Sequence, residues 1–185
     1  MIGKIEAFRP GCEQEERDKE LMLRFLREHE DAYLRSNTLA HMTASGWIIS
    51  PDRRHVAMVY HNIYHSWSWT GGHADGEHDL LAVALREAQE ETGIRRIHPV
   101  TEDIFSLECL AVAGHEKHGA YVASHLHLNV TYLLQSEEET LREKPDENSD
   151  AGWFTPAEAL AASTEPWMAE RVYRKLILRA APYMK

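Results

Sequence analysis

Cysteine is nearly absent: Cys12 and Cys109 are the only two, too few for a disulfide framework and not spaced as a metal-binding pair. Such scarcity fits a reducing compartment, and the expected location is the cytoplasm. Long hydrophobic runs are also missing. No stretch approaches the roughly 18 apolar residues of a membrane span, and the opening MIGKIEAFRPGCEQEE has no apolar segment of a secretory leader. Positive charge is short as well, with 20 Lys and Arg against 30 Asp and Glu and a formal charge of −10. Without a basic stripe, a nucleic-acid polymer is excluded as the expected partner. A small polyanion is not, provided a metal ion reverses the charge locally. With no internal repeat or low-complexity linker, 185 residues at 43% hydrophobic content suit one core rather than two.

What is present reads as strands interleaved with helices. After Pro10-Gly11, apolar residues from about Arg17 to Arg35 fall at helical spacing and predict an amphipathic N-terminal helix. Residues 1–40 form an extension whose expected role is to pack on the main domain at 41–185. Covering substrate or forming a homodimer is the alternative. From His41 the texture turns β-rich, with HMTASGWIIS, RHVAMVY and HSWSWT as three candidate strands. A helix from about Asp79 to Thr92 stops at Gly93, the residue type that best tolerates a left-handed C-terminal position. IFSLECLAVAG and HLHLNVTYLLQ predict further strands around a His/Gly-rich loop. An acidic loop from Ser136 to Asp150, a short strand at Gly152–Thr155 and helices from near Pro156 and from Pro166 to Ala181 complete the chain. The expected class is an α/β layered domain.

The chemistry concentrates in GGHADGEHDLLAVALREAQEETGI, residues 71 to 94. At 3.6 residues per turn, Leu81, Leu85, Ala88 and Thr92 share one helix face while Glu87, Glu90 and Glu91 share another, which predicts acids turned away from the buried side. Crowded like charges at i, i+3 and i+4 cost a few tenths of a kcal/mol each, and Glu90 and Glu91 sit in the last turn, where the helix dipole disfavours them. A hard cation held by carboxylates, waters and substrate phosphates would offset both penalties. For EAQEE alone an ordinary solvated acidic face is the simpler reading. The glycine pair directly before the helix adds weight, because glycine lets the backbone approach a ligand closely.

In this context the stretch resembles the Nudix box, G-x5-E-x7-R-E-U-x-E-E-x-G-U with U apolar. Aligned from Gly72, it matches at Arg86, Glu87, Ala88, Glu90, Glu91, Gly93 and Ile94. One strong position departs: His78 occupies the slot of the first glutamate, with Glu77 one residue earlier. Thr70 stands where many members carry proline, and Trp67 stands at a commonly aromatic position. The later ENSDAGWFTPAEAL is similar to the family's acid-loop-Trp-helix ending and extends the resemblance over most of residues 41 to 163.

The resemblance implies a Nudix-type (MutT-like) α/β/α sandwich with a mixed sheet. It also implies a Mg²⁺-dependent hydrolase, Mn²⁺ substituting, that cleaves a phosphoanhydride in a nucleotide-derived diphosphate. Glu87 and Glu91 would be the main metal ligands, Glu90 a third ligand or the base that orients water, and the Gly72 carbonyl part of the shell. Glu147, on the late loop, is the candidate general base. Arg86 would be anchored by Glu77, by the loop backbone or by His78. Two other classes share the fold: a binding module without turnover, and isopentenyl diphosphate isomerases, whose catalytic cysteine has no recognisable motif here.

Outside the box, Tyr64, Trp69, His115 and His127 are candidate substrate contacts. Trp67 and Trp69 alternate onto one strand face, where core packing is the simpler role. His61 and His65, together with His118, lie in loops at strand ends, where specificity is commonly carried. His125 and His127 point to one face of a strand, a spacing that can hold Fe or Zn. No partner acid follows at a convincing distance, so hydrogen-bonded, half-buried histidines explain the pair more simply.

Overall fold

A computed structural model of the chain describes every residue except Tyr64, His118 and Glu147, and the side chain of Lys117. The N-terminal segment forms α1 (Ile2–Ala7) and α2 (Glu13–Glu28). The predicted helix therefore starts earlier and ends a full two turns sooner. Tyr33 and Leu34 lie instead in a run of turns, where Ala32 and Leu34 donate backbone bonds to His29 and Asp31. The strands are β1 (Ala40–Ile49), β2 (Val56–His61), β3 (Ser66–Ser68), β4 (Thr70–His73), β5 (Ile97–Pro99), β6 (Ser106–Val112), β7 (His115–Lys117), β8 (Ala120–Val122), β9 (His125–Ser136) and β10 (Asn148–Phe154). Between β4 and β5 runs α3 (Leu80–Thr92), and α4 (Pro156–Ala162) follows β10. The expected last helix is a π-helical segment, Met168–Tyr173, continuing into α5 (Arg174–Ala180).

The sheet is mixed. Its order is β10-β2-β1-β9-β5, with β3 on β2, β4 on β1 and β6 on β9. β1 and β9 run parallel, Ala40 opposite Leu126 through Ile49 opposite Gln135, and β6 returns antiparallel on β9. The expected His/Gly-rich loop is a separate hairpin of β7 and β8.

Strand alternation divides β1 and β9 into two unlike faces. Met42, Ala44 and Ile48 with Leu128, Val130 and Leu134 form one, closed by Leu80, Val83, Ala84 and Ala88 of α3. The other is apolar at one end, where Trp47, Ile49 and Leu133 meet Val172, Tyr173 and Leu176. At its opposite end it is polar, and there the cavity opens. Helices on both faces make an α/β/α sandwich.

α2 lies along β6, whose outer edge would otherwise present unpaired backbone groups. Gln14 donates to the Leu107 carbonyl at 3.1 Å, and Asp18 accepts from the Cys109 N–H at 2.9 Å. Buried Glu15 accepts from Ser106 and from Lys175 of α5. Lys175 also meets buried Glu108 at 2.9 Å. Two buried carboxylates are thereby compensated by Lys175 and, at Glu15, by Arg179, both from α5.

Candidate active site

α3 begins at Asp79, whose carboxylate accepts from the N–H groups of Leu81 and Ala82 at 3.1 and 3.3 Å. A cap of this kind contributes about 1 kcal/mol. It ends at Gly93 with φ +70, a left-handed residue whose N–H returns to the Gln89 carbonyl. Both boundaries agree with the expectation. The buried stripe is rotated by one position from the expected one: Leu80, Val83, Ala84, Ala88, Glu91 and Thr92 are buried, while Leu81 and Leu85 are half-buried.

That rotation separates the three acids. Glu91 is only 8% exposed and is turned inward to line the cavity. Glu87 is mostly covered, its side chain 14% exposed, and Glu90 faces outward. The expectation of three acids turned from the buried side holds for Glu90 alone, because Glu91 lies seven residues after buried Ala84 and so on the same edge of the helix.

The acids already have cationic neighbours. Arg86 Nη2 donates to Glu87 Oε1 at 2.9 Å, and Lys144 Nζ donates to Glu90 Oε2 at 3.2 Å. Arg86 also reaches the His73 carbonyl at 3.5 Å. Anchoring thus comes from the neighbouring acid and the backbone at the end of β4, where the box loop leaves the sheet, and not from Glu77 or His78. Glu77 accepts from the Asp79 N–H at 2.8 Å, and exposed His78 lies tilted against Tyr33 with ring centroids 4.0 Å apart. The N-terminal segment holds the same loop a second time: Arg35 forms a two-pronged ion pair with Asp75, and the Gly76 N–H donates to the Tyr33 carbonyl at 2.9 Å.

The glycine pair is explained by space. A Cβ on Gly71 would stand 2.8 Å from the Ala44 carbonyl, so β4 could not lie as close to β1. A Cβ on Gly72 would stand 2.6 Å from Glu87 Oε1. The Glu87 carboxylate therefore occupies a notch that a side chain at 72 would fill.

The cavity of about 700 Å³ is bordered by Gly71, Gly72 and Glu91 on one side and by Trp69, His115 and His127 on others. Trp69 meets the Tyr173 ring edge-on at 5.8 Å, so it serves core and cavity together. Trp67 packs against Phe154 in the apolar cluster. Burial raises the pKa of Glu165, another lining carboxyl. Burial, followed by the charges of neighbouring histidines, pushes His127 down to about 2, and burial also lowers His41. Two expected contributors, Tyr64 and Glu147, lie outside the described residues, as does His118. His41 and His73, which no motif marked, join His127 at the cavity. Pattern could not reveal them, because each sits on a different strand.

A NUDIX domain model matches residues 40–176. The chain belongs to the NUDIX family. Among solved structures this NUDIX chain is similar to a Caenorhabditis elegans Ap4A hydrolase binary complex, at 18% identity over 77% of this chain and 96% of that one, with TM-score 0.54. It is similar to a NUDIX-family hydrolase of Clostridium perfringens at 17% identity over 75% and 97%, with TM-score 0.52. It also resembles the NUDIX domain of Shewanella oneidensis NrtR complexed with ADP ribose, at 15% identity over 86% and 96%, with TM-score 0.54. At these identities the likeness is one of fold. No curated protein sequence matches the chain. Among the described residues, no helix is long and apolar enough to cross a membrane.

Proposed function

We propose that this NUDIX hydrolase cleaves a phosphoanhydride bond in a small substrate built on a nucleoside diphosphate, with Mg²⁺ or Mn²⁺ as cofactor. One observation carries the reading: the Glu87 carboxylate fills the notch left by Gly72 while Glu91 is buried beside it at the edge of a cavity large enough for a nucleotide. Carboxylates and a backbone carbonyl are hard oxygen donors, the donor set that suits Mg²⁺. Glu87, Glu91, Glu90 and the Gly72 carbonyl are the residues that would hold it. When bound, such an ion supplies positive charge to the diphosphate oxygens and lowers the pKa of a water.

The chain's own groups do the rest. Arg86 holds the Glu87 carboxylate against the loop. Asn148 donates from its side chain to the Glu91 carbonyl at 3.0 Å, bringing the start of β10 against the last turn of α3. Glu147, next in sequence, is the proposed general base. Trp69 offers a face for a base, and the similar Ap4A hydrolase and ADP-ribose-bound NUDIX domain guide the choice of test compounds. A cysteine-dependent isomerisation is disfavoured: burial and the nearby Asp18 charge raise the Cys109 thiol pKa, which leaves it protonated.

The test is turnover of diadenosine polyphosphates, ADP-ribose, nucleotide sugars and oxidised nucleotides with Mg²⁺. At least one should be hydrolysed, with activity lost to chelator and restored by Mg²⁺. Binding of such a compound without turnover under any divalent ion would assign the fold to a binding role instead.

A further inference from the structure

We propose that His41, His73 and His127 form a transition-metal site on the cavity floor, separate from the glutamates of α3 and suited to Zn²⁺ or a similar borderline cation. Each offers one ring nitrogen, and the three atoms lie within 4.8 Å of one another. The sheet register makes the cluster. His41 on β1 stands directly opposite His127 on β9. His73 on β4 pairs with Thr43, two residues from His41 and on the same face of β1. The ring centroids are 5.1 Å apart for His41 and His73, 5.1 Å for His41 and His127, and 4.7 Å for His73 and His127.

Hydrogen bonding separates this arrangement from ordinary core histidines. His41 Nδ1 lies 3.0 Å from the Asn37 carbonyl, so that nitrogen carries the proton and Nε2 presents a lone pair. His41 is 4% exposed, and its Nε2 has no hydrogen-bond partner among the described residues. A buried acceptor without a donor is costly, and a cation among the rings would satisfy it. A backbone carbonyl that fixes the other ring nitrogen is also how metal-ligating histidines are usually oriented. His127 is held by a neighbouring ring instead: His125 Nδ1 donates to the Ala123 carbonyl at 2.8 Å, so its Nε2 accepts from His127 Nε2 at 3.2 Å and His127 Nδ1 keeps the lone pair.

Three imidazoles without a carboxylate favour Zn²⁺, Co²⁺ or Ni²⁺ over Mg²⁺. A tetrahedral ion 2.0–2.1 Å from its ligands would bring the nitrogens to roughly 3.3 Å apart, so the rings would close inward on binding. The fourth position opens on the same cavity as Glu91 and Gly72. It would take water or an anionic oxygen of the cavity's ligand.

Zn²⁺ binding to the full chain, measured by competition with a fluorescent chelator in excess Mg²⁺, tests the site independently of turnover. One ion should bind. His73→Gln and His127→Gln should each weaken it by at least about ten-fold. Glu87→Gln, Glu91→Gln and the surface control His98→Gln should leave it unchanged. On the unaltered chain, X-ray absorption at the zinc edge should show imidazole nitrogens at about 2.0–2.1 Å. Failure to take up Zn²⁺, uptake undiminished in both histidine variants, or a zinc shell without imidazole would overturn the proposal.

Discussion

Glu87, Glu90 and Glu91 follow one another within five residues, yet each meets a different environment: a notch beside Gly72, a surface ion pair with Lys144, and a buried cavity wall. Part of their mutual repulsion is relieved by Arg86 and Lys144, so crowding by itself is weaker evidence for a metal than the pattern suggested. Burial singles out Glu91. Glu91→Gln keeps shape and volume while removing the charge, and should lower kcat by at least about 100-fold, as loss of a key electrostatic group does. Thermal unfolding should remain cooperative with a midpoint near that of the parent. Activity within a few-fold of the parent would remove Glu91 from the site.

α3 and its flanking loop were the most legible elements. Asp79 as cap and Gly93 as stop act through local chemistry, and local chemistry is what a sequence displays. The N-terminal helix ends at Glu28, short of its apolar pattern, because Tyr33 and Leu34 keep helical spacing although the chain turns there to hold the box loop. The pairing of β1 with β9 was not legible: residues 40 and 126 meet only through the parallel register. The histidine cluster that depends on it stayed hidden for the same reason, as did the contacts of Glu15 and Glu108 with Lys175. Gly72 tests the strand-to-helix contact. In Gly72→Ala the new methyl would press on the end of a flexible glutamate, so the sheet should tolerate it, at a cost of about 1 kcal/mol or less. The displaced carboxylate should nonetheless lower kcat/KM by at least about ten-fold. A variant that unfolds, or one of full activity, would contradict the placement of Glu87.

As a whole the molecule uses one sheet for two tasks. One face is largely apolar, with Thr70 and the Tyr132 hydroxyl among its polar exceptions, and it rests on α3. The other is apolar only where the C-terminal helices cover it, and the remainder, carrying His41, Thr43, His127 and Asn129, borders the cavity. The N-terminal segment closes the β6 edge and ties down the box loop through Arg35 and Tyr33. With a formal charge of −10, the molecule carries the same sign as the anionic substrate proposed for it, and the cation proposed at the acids would supply the attraction locally. Water is the nucleophile proposed there: of the serines lining the cavity, Ser45 donates to Asn129 and Ser68 meets the Tyr173 hydroxyl, and the Cys109 thiol pKa is raised by burial. Turnover in ¹⁸O-water, followed by mass spectrometry of the products, tests this most directly. The label should appear on a phosphoryl oxygen of one product. Label found only on carbon, or conversion without any incorporation, would contradict the account.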